Sequence, residues 1–178
     1  IMKGFGEEKQ ARKKGLVKRF KNNQKDIQEL IINAFKFHSE GNLIKASRNY
    51  EQIIESGSTD PRVLSNLAVI FQQQGQLIKA EQLLRMSAKA NPNHSETFAN
   101  LAGILKALAK PLEAEESLLR AIDLKADCST YYYNLSNILI DLGRLEEAIK
   151  FLYKAIDINP EYVDSYSNLA SILIDLGK

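Results

Sequence analysis

The chain has a single cysteine, Cys128, so no internal disulfide can staple it, and the chain fits a reducing, cytoplasmic setting or is indifferent to redox state. Its two histidines, His38 and His94, stand 56 residues apart with no Cys or His at ligand spacing, which argues against a metal site. No cofactor is expected either. No apolar run approaches the ~18 residues of a membrane span, and Leu67-Ala68-Val69-Ile70-Phe71 is the densest patch. No 7- to 15-residue apolar stretch follows the N-terminal charges, which argues against a secretory signal. Gly4-Phe5-Gly6 is too short for a phosphate loop and has no strand before it. No nucleophile, base and orienting group recur on one face, so catalysis within these residues is the weakest reading.

What the chain does have is a division of charge and a repeat. Residues 1–26 hold nine Lys or Arg against Glu7, Glu8 and Asp26, a balance of +6, and residues 27–178 carry −4. The basic segment has few large apolar residues and is expected to be a mostly disordered tail. Its charge suits nucleic acid or an acidic membrane surface, but no aromatic platform accompanies it, so a solubilising linker is preferred.

From Ile27 onward the sequence repeats every 34 residues. Residues 129–162 show the unit best: two apolar stripes at helical spacing flank Gly143-Arg144, and Asn159-Pro160 closes the pair. Copies fall at 61–94, 95–128 and 129–162, with an irregular copy at 27–60 and a partial one at 163–178. Such a period denotes stacked helix pairs in which each copy contacts its neighbours. The first copy departs from the pattern: Asn33 stands where later copies have Leu67, Leu101, Leu135 and Leu169, and Ile31, Ile32 and Phe35 form an extra apolar face suited to the tail or a partner. In the third, Ala109 stands where Gly41, Gly75, Gly143 and Gly177 stand, which strains a turn of positive φ by about 1 kcal/mol. The final copy stops after one helix and its turn, which suggests a piece of a longer protein and leaves an end open to self-association.

Small residues recur where helices must approach. Ala68, Ala102, Ser136 and Ala170 follow the core leucines, and Ala46, Ala80, Ala114 and Ala148 sit early in the second helices. Together with Leu64, Phe98, Tyr132 and Tyr166, the Gly turns and the Asn-Pro exits, these residues resemble the tetratricopeptide repeat over residues 27–178. The resemblance implies an all-α, right-handed superhelical solenoid of antiparallel helix pairs, whose first helices line a concave groove that commonly binds peptides.

One polar feature recurs in phase: Asn66, Asn100, Asn134 and Asn168. Stacking would align these carboxamides along the groove, where each can both donate to and accept from the backbone of an extended peptide. The competing reading is a bridge between neighbouring helices. The row resembles the asparagine ladder of O-GlcNAc transferase, which implies recognition of protein segments. Thr130, Tyr133 and Asn137 complete the candidate peptide-binding set, while Tyr132 is expected in the core and Ser65 on the groove wall. The chaperone-binding tetratricopeptide clamp for acidic tails is poorly matched, since Ser65, Val69, Asn100, Thr130 and Asn134 share one of its five residues. The expected function is therefore a non-catalytic protein-interaction scaffold. The alternative is the substrate-recruiting arm of a larger, bacterial-type glycosyltransferase, sulfotransferase or methyltransferase with its catalytic domain beyond residue 178.

Overall fold

The computed structural model describes residues 26–177, and among these there are nine α-helices and no strand. The expectation of a disordered tail falls, up to residue 25, outside the described residues. The helices are α1 (26–39), α2 (Leu43–Glu55), α3 (Pro61–Gln73), α4 (Leu77–Ala90), α5 (Ser95–Ala107), α6 (Pro111–Leu124), α7 (Ser129–Asp141), α8 (Leu145–Ile158) and α9 (Val163–Asp175). The described residues divide into two compact units, one ending at Ser58 and the other beginning at Thr59.

The turns follow from local chemistry. The Gly75 N–H donates to the Gln72 carbonyl at 2.9 Å and the Gln76 N–H to the Phe71 carbonyl at 2.8 Å, the paired closure that satisfies the last carbonyls of a helix. This geometry needs a left-handed residue, and Gly75 and Gly143 supply it at φ +73° and +72°. Ala109 takes the same conformation at φ +56°, with Lys110 N–H closing on Leu105 at 2.9 Å, so the strain expected from the sequence is present. Pro61 and Pro111 open α3 and α6, where a missing N–H leaves no helical bond unmade.

In the unit 59–178, α3 pairs with α4, α5 with α6 and α7 with α8, and each second helix then packs on the next first helix. The small residues of these helices are buried, with Ala80, Ala114, Ala148, Ala68, Ala102 and Ser136 all at most 1% exposed. Leu67, Leu101 and Leu135, at most 4% exposed, fill the pair interiors at about 1.5–3 kcal/mol each. Successive first helices touch, α3 with α5 and α5 with α7, whereas second helices approach one another less.

The other unit builds its core from Ile31 and Ala34 of α1 against Ala46, Tyr50 and Ile53 of α2. Here the extra apolar face read from the sequence is largely consumed. Ile31 is buried and Phe35 meets the Tyr50 ring edge-on at 5.8 Å, which leaves only Ile32 exposed, at 65%. Tyr50 explains the difference: its large ring and its hydroxyl, 3.1 Å from His38 Nδ1, draw the helix face toward it.

Candidate functional site

The four phased asparagines all lie in the 59–178 unit, one on each of α3, α5, α7 and α9. None is buried: Asn66, Asn100 and Asn168 are half-buried and Asn134 is exposed. Their common phase follows from the equal length of the copies, because each carboxamide precedes the core leucine by one residue and so turns about 100° away from it. The last member is partly engaged. Asn168 Nδ2 donates to Asn137 Oδ1 at 2.6 Å, linking α9 to α7. Two of the residues singled out in the sequence are thus brought together, and the bridging role weighed against a groove role is present at this end of the row.

Thr130 and Tyr133 lie one turn apart on α7. The Tyr133 ring tilts against that of Tyr162, with centroids 5.0 Å apart at 57°. Burial pushes the Tyr162 phenol above its usual range, reinforced by Tyr133 and Asp164 and opposed by a hydrogen bond with Thr130. Tyr162 is the residue that sequence reasoning missed. The signal was present: just before the first helix the copies carry Asp60, His94 and Cys128, and only the last boundary has an aromatic there. These residues form a half-buried aromatic step beside the exposed Asn134 amide.

One reading of a neighbouring residue changes, and a further tyrosine joins the core. Ser65 does not face the groove, for its hydroxyl lies 2.9 Å from Ser87 Oγ and 3.3 Å from Thr97 Oγ1 in a buried seam that also includes a Ser87 bond to the Pro61 carbonyl at 3.0 Å. A small residue in α3 and another in α4 leave room for the α5 hydroxyl to enter. Tyr131 is buried as well as Tyr132, at 6% and 7% exposure. Ala99 and Ala121 hold the corresponding small places there, and Tyr131 reaches across to the Ser95 hydroxyl at 3.3 Å.

The two cations on the first helices of the 59–178 unit are occupied. Arg62 Nη2 binds Asp60 at 2.7 Å, and Lys106 of α5 binds Asp141 of α7 at 3.1 Å. Among the described residues no group of three His, Cys, Asp or Glu could hold a metal ion, and no helix is long and apolar enough to cross a membrane.

With this geometry in hand, the profile described as "Tetratricopeptide repeat" matches residues 129–162. The fold is shared with solved tetratricopeptide-type structures. MamA (residues 41 to end) from Desulfovibrio magneticus RS-1 is 18% identical, with 85% of each chain covered and a TM-score of 0.78. YrrB, described as a TPR protein with an unusual peptide-binding site, is 19% identical, with 90% of this chain and 83% of that one covered and a TM-score of 0.77. The first TPR of Spaghetti (RPAP3), solved with the HSP90 peptide SRMEEVD, is 22% identical over 68% of this chain and 96% of its own, with a TM-score of 0.65. No curated protein matches the chain by sequence. The architecture is thus an all-α repeat array of the tetratricopeptide kind.

Proposed function

We propose that this chain is a non-catalytic scaffold that holds an extended protein segment along the face lined by α3, α5, α7 and α9. The observation that carries the reading is the phased row Asn66, Asn100, Asn134 and Asn168, none of them buried; the reading puts this row on the inner side of the array. Carboxamides at a constant spacing recognise main-chain N–H and C=O groups whatever the side chains, and four contacts at about 0.5–1.5 kcal/mol each give modest affinity before ordering costs. Thr130, Tyr133 and Asn137 add a local step where one side chain of the segment rests on the aromatic pair. Peptide binding in the tetratricopeptide structures of YrrB and Spaghetti lends the reading general support.

The segment is neutral or basic rather than acidic. Arg62 and Lys106 are held by Asp60 and Asp141, and Asp164 stands beside the Tyr133–Tyr162 pair. The test is selection of binders from a random peptide library on the immobilised chain, followed by rebinding to Asn100→Ala/Asn134→Ala. Selected peptides should carry few Asp or Glu and should bind the double variant less well at an unchanged helical circular dichroism signal. Undiminished binding removes the row from the account.

A further inference from the structure

The outer side of the same unit holds a cleft that the inner face does not explain. Between α4, α5 and α6 lies a volume of about 620 Å³, floored by Phe98 and Leu101 and walled by Ser117, Leu119 and charged residues. Its origin is one position of the repeat. The residue 19 places after the first-helix aromatic or leucine is Leu83 over Leu64, Phe151 over Tyr132, and Ser117 over Phe98. Phe151 stacks on Tyr132 with ring centroids 6.3 Å apart at 25°, and Tyr132 is left 7% exposed. Leu64, in the copy with Leu83, is fully buried. In the middle copy the Ser117 hydroxyl turns back to the Glu113 carbonyl at 2.9 Å and covers nothing. Phe98 is therefore only half-buried, and Leu119 on the rim is 41% exposed. What the middle copy lacks at this position is one phenyl or isobutyl group, which would occupy the part of the cleft directly over Phe98.

The rim sets the sign of charge. Arg85 is engaged by Glu81 and Glu113, and the remaining charges of the lining are Glu116 and Asp123 against the single cation Arg120. An occupant with positive charge beside its apolar group is favoured there over an acidic one. We propose that this cleft is a second docking site, separate from the asparagine face, which takes a phenylalanine or leucine side chain of a partner protein segment whose adjacent residues are basic. The partner supplies from outside the side chain that Phe151 supplies from within the next copy.

The experiment is an amide NMR titration of the ¹⁵N-labelled full chain with acetyl-Lys-Phe-Lys-amide, using acetyl-Lys-Ala-Lys-amide and acetyl-Glu-Phe-Glu-amide as comparisons. Saturable shifts at Phe98, Ser117 and Leu119 are expected with the first peptide, with at least ~10-fold weaker binding of the other two. Ser117→Phe should cover Phe98, raise the melting temperature and abolish those shifts. The exposed pair Glu116→Lys/Asp123→Lys, which leaves the core untouched, should weaken binding by a similar factor. Absence of saturable shifts at these amides, equal binding of the alanine or glutamate peptide, or full binding by Ser117→Phe overturns the proposal. So do shifts at the same amides on raising protein concentration without peptide, which assign the cleft to a second copy of the chain.

Discussion

Replacing Ala109 by glycine should stabilise the protein, and the size of the gain can be worked from the turns around it. Ala109 sits at φ +56°, while glycine occupies the matching turn after α3 and after α7 at φ +73° and +72°. A Cβ built on Gly75 or Gly143 meets no heavy atom within 4 Å, so the penalty at Ala109 is torsional rather than steric crowding by neighbours. Holding an L-residue in the left-handed region costs about 1–2 kcal/mol. Glycine forfeits about 0.5–1 kcal/mol of that through the greater freedom of its unfolded chain. The net gain is about 0.5–1 kcal/mol, or about 2–4 °C in melting temperature at most for a chain of this size. Thermal melts by far-UV circular dichroism measure it directly, and Gly143→Ala should lose a similar amount. An Ala109→Gly variant that melts at or below the parent temperature would refute the reasoning, since it would mean that the turn relaxes away from positive φ when alanine is present.

The other expectations follow from equally local features. Ala148, fully buried where α8 meets α7, should tolerate leucine poorly, with a loss of about 1–3 kcal/mol in urea unfolding. The Ser165 hydroxyl is buried without a hydrogen-bond partner, where the phase-equivalent Thr97 has Ser65 and Ser87; Ser165→Ala should therefore gain about 1 kcal/mol, and a loss would contradict the assignment. Lys110, followed by Arg85, holds the Glu81 carboxyl below the usual carboxylate range. Its contribution is thus present above the unfolded value near ~4.3 and is lost as pH falls through the lower folded value, so Glu81→Gln should flatten the acid limb of a stability profile and leave the alkaline limb unchanged.

Much of the architecture was legible because a repeat states its own rules several times. Ala114 and Ala148 could be placed at helix contacts, and Ala109 in a strained turn, by comparing one copy with the next. What resisted was whatever depends on two copies at once. Ser65 reads as a groove residue on its own helix, yet Ser87 and Thr97, 22 and 32 residues away, draw its hydroxyl into a buried seam. Tyr131 points about 200° around α7 from Tyr133, and whether that side is buried depends on the small residues of the preceding copy. Tyr162 belongs to a connection, where helical periodicity gives no guide, and was found only through its ring contact with Tyr133. The cleft over Phe98 was hidden for the same reason: Ser117 looks like an ordinary surface serine until Leu83 and Phe151 are set beside it.

The account stands on recognition of main chain by the carboxamide row, and the most direct measurement is calorimetric titration of one library-selected peptide in two forms, unmodified and N-methylated at alternate amides. N-methylation removes backbone donors and leaves every side chain in place. The account predicts that methylation in one of the two alternate registers weakens binding about 5- to 150-fold, the equivalent of two carboxamide contacts, and that Asn100→Ala/Asn134→Ala erases the difference between the two forms. Equal affinity of both methylated registers and the parent peptide would contradict it.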